Sequence, residues 1–123
     1  MTTQTTTLAR DMPYRALNAA DERALITRAH DGDTDALADL TATYARAIFR
    51  AADMALATAT NGRRVRRADH DGAVNIAAAA FAQCVRYFDT SRPIAESLSW
   101  DVPAAMRGAV WAAGIPRSHL ALV

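Results

Sequence analysis

The chain has 123 residues, about half of them apolar, and a formal net charge of +1. That is the length of one domain, with enough apolar side chains for a core. The balance excludes a β-sandwich, an acidic disordered tail and nucleic-acid capture by a whole-molecule field, and a lone cysteine, Cys84, excludes a disulfide scaffold.

Thirty residues are alanine, and all 14 basic residues are arginine. This bias favours helix and is expected of a GC-rich coding sequence, such as that of an actinobacterium or one of its phages. Residues 1–17 read as a flexible, threonine-rich lead-in, with neither the basic patch nor the apolar run of a secretion signal. Asn18, followed by Asp21 and Glu22, predicts a capped helix start, because the acids meet the free amides of the first turn. Leu25, Ile26 and Ala29 form its apolar face. Asp31-Gly32-Asp33 stops this helix and caps the next one.

A second helix is predicted from Thr34 to about Thr58. Leu37, Leu40, Tyr44, Ile48, Ala51 and Ala55 make its inward stripe, and Arg46 and Arg50 lie off it. So short a connection predicts a helical hairpin. The stretch from Thr58 to Gly72 reads as a loop, with Asn61-Gly62 as a turn and Asp69, His70 and Asp71 near its end. A third helix is predicted over Ala73–Tyr87, with Val74, Ala77, Phe81, Cys84, Val85 and Phe88 inward. A fourth starts at Asp101, with Pro103 in its first turn, and ends at Gly114 and Pro116; Met106, Ala109, Val110 and Ala113 face inward. The expected fold is all-α, a domain over residues 18–114 with four main helices and a C-terminal tail over 115–123. The most apolar run, Ala73–Ala82, is about half the length that a membrane span needs. A cytoplasmic protein is expected.

Catalytic chemistry has little to stand on. Asp69-His70-Asp71 is too local to close a metal shell. Cys84 falls on an apolar stripe with no cation nearer than Arg86, the setting of a packing thiol. No enzyme, metal or cofactor is expected. Arg63, Arg64, Arg66 and Arg67 cluster within five positions; they read either as a basic loop for nucleic-acid phosphates or as a solvated loop that neutralises nearby acids. No aromatic residue interleaves them, so contact there would be with backbone and not bases.

The run Leu25-Ile26-Thr27-Arg28-Ala29-His30-Asp31-Gly32-Asp33-Thr34-Asp35-Ala36-Leu37-Ala38-Asp39-Leu40, then Tyr44, resembles the opening of the second conserved region of bacterial sigma factors, above all the extracytoplasmic-function group. Their pattern is L-[IV]-x-x-A-x-x-G-D-x-x-A-[LF]-x-x-L-x-x-x-Y. Phe88-Asp89 is similar to that region's F-D landmark, and Met106-Arg107-Gly108-Ala109-Val110 to its I-R-G-A segment. The resemblance covers about residues 18–113 and implies a four-helix region 2 domain opened by a hairpin.

It also implies sites. The family's D-x-x-Q-E positions, which dock on the clamp helices of the RNA polymerase largest subunit, fall on Gly72, Asn75 and Ile76. Only Asn75 keeps a polar group, and Ile76 replaces a carboxylate. The promoter-melting segment corresponds to Trp100, Arg107 and Trp111, aromatic and basic residues of the kind that trap unstacked bases. The promoter-reading helix-turn-helix domain finds no counterpart in this sequence.

Two functions are expected from this. The first is a sigma-like transcription protein of a phage or mobile element, binding RNA polymerase through Asn75 and Ile76, and DNA through Arg63, Arg64, Arg66, Arg67, Trp100 and Arg107. The second is a sigma-like adaptor that binds another protein, such as a recombinase or host regulator, and has no role in transcription.

Overall fold

A computed structural model describes residues 17–60, 65–93 and 97–113. Those residues are mostly helical, with no strand among them: α1 (Ala19–His30), α2 (Thr34–Thr43), α3 (Ala45–Thr60), α4 (Arg67–Tyr87) and α5 (Val102–Ala113), with a 3-10 turn over Leu98–Trp100. No helix among the described residues is long and apolar enough to cross a membrane.

The start of α1 is capped by Asn18, whose Oδ1 accepts the Asp21 N–H at 2.8 Å. Gly32 then takes φ +93°, a backbone conformation that costs other residues roughly 1–2 kcal/mol. Asp33 begins α2: its Oδ1 accepts the N–H groups of Asp35 and Ala36 at 3.0 and 3.1 Å. Its other oxygen takes the Arg28 guanidinium from the last turn of α1 at 2.7 Å. The turn is thus fixed from both helices, and α1 packs along α2 as the hairpin requires.

The second predicted helix is two helices. The chain bends at Tyr44 (φ −99°, ψ 9°), although the Ile48 N–H still reaches the Tyr44 carbonyl at 2.9 Å. Thr41 and Thr43 donate their hydroxyls to the carbonyls of Leu37 and Asp39, back-bonds of the kind that bend helices. Tyr44 turns its hydroxyl to Glu22 on α1 and lays its ring 5.2 Å from that of Phe81 on α4. Leu37 and Tyr44 are accordingly only partly buried, whereas Leu40, Ile48, Ala51 and Ala55 are core.

The predicted loop over Thr58–Gly72 is also corrected. α3 continues to Thr60, and α4 begins at Arg67, six residues before Ala73. Tertiary contacts outweigh the helix penalty of Gly72. His70 Nε2 lies 2.8 Å from Asp53 Oδ1 on α3, and its ring stacks on Phe49 at 6.5 Å. Asp69 is buried, with Arg66 3.4 Å away.

α3, α4 and α5 pack on one another most extensively, and α4 also touches α1 and α2. Phe81, Ile26, Leu40, Ile48, Leu98 and Met106 are fully buried, each side chain contributing roughly 1.5–3 kcal/mol by leaving water. Ala113, expected inside, is exposed. Phe88 ends α4 in the core, with the guanidiniums of Arg23 and Arg92 at 5.6 and 5.3 Å from its ring centre. Asp89 then turns the chain by accepting the Ser91 N–H and hydroxyl. Asp101 precedes α5 as expected, with its carboxylate on Arg92 at 2.6 Å.

Candidate functional site

α4 presents an exposed face between its neighbours. Asn75, Ala79 and Gln83 recur at four-residue spacing, so they stack into one ridge, and all three are exposed. A groove runs on each side of that ridge. Toward α5 it measures about 590 Å³ and is lined by Ile76, Ala80, Cys84, Tyr87, Ala105 and Ala109. Toward α1 and α2 it measures about 650 Å³, with Ala29, His30, Leu37, Val85 and Arg86 in its walls. His30 Nε2 lies 2.7 Å from the Val85 carbonyl and so ties α1 to the end of α4.

Alanines 79 and 80 bring the grooves close to the helix backbone. Ile76 is partly buried against the core and forms a groove wall. Asn75 beside it faces solvent. Tyr87, 71% exposed, closes the α5-side groove. Burial pushes the Cys84 thiol up, and Asp101 adds to the shift, which leaves it a weak nucleophile.

The arginine cluster is only partly placed, since Arg63 and Arg64 lie outside the described residues. Arg66 and Arg67 are exposed at the start of α4, where Arg66 pairs with Asp69. Trp100 is 71% exposed. It follows Leu98 and precedes Asp101, which share a cleft with Tyr87 and Phe88 at the far end of α4. The 21 residues of α4 span about 30 Å at 1.5 Å per residue, so the arginines and the tryptophan occupy opposite ends of the domain. Arg107 is partly buried on α5. Among the described residues, Arg66 and Arg67 therefore share no patch with Trp100. Asn75 and Ile76 do join one surface, the ridge and its groove.

A second concavity escapes the sequence reading. It lies between the start of α1, the α2–α3 bend and residues 97–99, and measures about 570 Å³. Glu22, 6% exposed, accepts the Tyr44 hydroxyl on one carboxyl oxygen and the Leu98 N–H, at 3.1 Å, on the other. Burial, reinforced by Glu22, drives the Tyr44 hydroxyl far above its ordinary pKa, so Tyr44 is a permanent donor. Arg46, Arg50, Ser97 and Ser99 surround the same space. The four-residue spacing of Arg46 and Arg50 was the legible signal; the role of Glu22 left none, because its partners lie 22 and 76 residues away.

No group of three or more metal-ligating side chains occurs among the described residues; Asp69, His70 and Asp71 point around a helix. Comparison with protein-family models, with curated proteins and with solved structures finds no match.

Proposed function

We propose that this chain is a sigma-like transcription protein of a phage or mobile element, and that it docks on core RNA polymerase through the α4 ridge. The observation that carries the reading is the coincidence of motif and surface. The Leu25–Tyr44 string folds as helix, Gly32 turn, Asp33 cap and second helix. The family's docking positions then correspond to Asn75, on a ridge between two grooves, and to Ile76, in the wall of one of them. A ridge flanked by grooves suits a helical partner, because helices pack by seating ridges in grooves. The clamp helices of the largest subunit are such a partner. Arg66 and Arg67, exposed at one end of α4, supply charge for DNA backbone held beside the polymerase.

The test is a pull-down of purified core RNA polymerase by the full chain, its Asn75→Ala variant and its Ala79→Arg variant. Both positions are exposed, so the fold survives, which circular dichroism checks. The wild type retains polymerase, Asn75→Ala retains less, and Ala79→Arg weakens binding by at least about tenfold, as a blocked central contact does. Retention no better than that of an unrelated helical protein would refute the proposal.

A second reading, an adaptor for another protein of the same element, is favoured by the apolar character of the α5-side groove. Ile76, Cys84, Ala105 and Ala109 stand there, with Ile76 in place of a carboxylate. It predicts that Ala79→Arg disrupts a non-polymerase complex while polymerase is never retained.

A further inference from the structure

The exposed face of α4 is complementary to itself. Asp71, Asn75, Ala79, Gln83 and Tyr87 recur at four-residue spacing and are all exposed, so they form one ridge along the helix. An acid stands at one end of it, a small residue at its middle, and a tyrosine at the other end. Beside that tyrosine is the exposed Arg86, its guanidinium 5.6 Å from the ring centre. Asp71 faces solvent, with His70 Nδ1 3.9 Å away. A two-fold axis through Ala79 sets each residue after it against the one equally far before it on a second copy. Gln83 then meets Asn75 of the second copy, and each amide can both donate and accept. Arg86 and Tyr87 meet its Asp71. Arg67 lies one turn farther out, past the end of the second copy's α4.

We infer that a second copy of this chain packs on this face, α4 against α4, antiparallel about Ala79. Charge decides the direction. A parallel pair sets Asp71 on Asp71 and Arg86 on Arg86, whereas the antiparallel pair holds the two Asp71 carboxylates about 24 Å apart at 1.5 Å per residue and gives each an arginine. Ala79 and Ala80 let the ridge of each helix seat in the α5-side groove of the other, against Ile76, Cys84 and Ala105. A net charge of +1 sets up little repulsion between copies. A single helix face buries less than the roughly 1,200 Å² of a stable complex. The dimer is therefore reversible, with a dissociation constant of roughly ten to a few hundred micromolar. Its ridge is the one assigned above to polymerase. Resting on that reading, pairing hides the docking face and dilution exposes it.

The experiment is sedimentation equilibrium of the full chain from about 5 μM to about 1 mM, beside Ala79→Arg, Asp71→Arg and the Asp71→Arg/Arg86→Asp double variant. All these positions are exposed, and circular dichroism checks the fold. The wild type is expected to pass from monomer to dimer within that range. Ala79→Arg brings two guanidiniums together on the axis and weakens association by about tenfold or more. Asp71→Arg sets arginine against Arg86 and weakens it by about threefold or more. The double variant restores the pair with its signs exchanged and recovers to within about twofold of wild type. A monomer at every concentration, or a dimer that Ala79→Arg leaves intact, overturns the pairing. Failure of the double variant to recover overturns the antiparallel register. Polymerase is absent from this experiment, so its failure is distinct from that of the docking reading. A monomer that retains polymerase removes the dimer alone. A chain that dimerises, yet retains no polymerase when diluted to monomer, removes the docking alone.

Discussion

Glu22 joins three parts of the chain that are distant in sequence: α1, the bend after α2, and the stretch before α5. Removing it leaves the Tyr44 hydroxyl and the Leu98 N–H without a carboxyl partner, and each such buried donor costs about 1–3 kcal/mol. Tyr44→Phe removes the hydroxyl that Glu22 accepts but keeps the buried carboxylate's bond to Leu98 and the ring on Phe81, for a loss of about 1 kcal/mol. Urea unfolding should therefore rank Glu22→Ala well below Tyr44→Phe in stability, and the double variant should fall short of the sum because the two share a bond. Additive effects would show that the pair does not interact. In the sequence Glu22 is an ordinary first-turn acid and Tyr44 a member of an apolar stripe. Nothing local tells that one is buried beneath the other, since that depends on where the loop after α4 returns.

At the scale of elements, the sequence was legible wherever local chemistry decides. The Asn18 and Asp33 caps, the positive φ of Gly32 and the apolar stripes of α1 and α4 are short-range facts, and each is observed. The early start of α4 depends on His70 meeting Asp53 and Phe49, and the α2–α3 bend combines the local Thr41 and Thr43 back-bonds with Tyr44 meeting Glu22, so no single window of sequence contained either in full. The Asp33 cap has a measurable signature. The Arg28 guanidinium, followed by the Ala36 N–H, holds the Asp33 carboxyl below the usual aspartate range. With the folded pKa below the unfolded one, Asp33 stabilises the fold above about pH 3.9 and loses that contribution as the pH falls toward its depressed value. Asp33→Asn keeps a capping oxygen but no charge for Arg28. Its urea midpoint, compared with wild type at successive pH values, should lie lower at neutral pH and converge on wild type in acid. A gap that stays constant with pH would contradict this assignment.

At the scale of the whole molecule, two surfaces of different character stand on one small core. The α4 ridge carries Asn75, Ala79 and Gln83 between two grooves. The Glu22 concavity is bordered by Arg46 and Arg50. The exposure of Asn75 and the partial burial of Ile76 follow from their register on the apolar stripe of α4. The wide separation of Arg66 and Arg67 from Trp100 was not legible in the sequence, because it follows from the length of α4, which begins six residues earlier than its apolar pattern suggests. Near-neutral net charge leaves any nucleic-acid contact to such local groups.

The contact proposed for this molecule is between the α4 ridge and RNA polymerase. A photo-crosslinking residue at position 83, on the ridge, and another at position 35, exposed on α2, test it directly in the full chain mixed with core polymerase. A crosslink from position 83 to the largest subunit, and none above background from position 35, is expected. Equal yields from the two positions, or no crosslink from position 83, would contradict it.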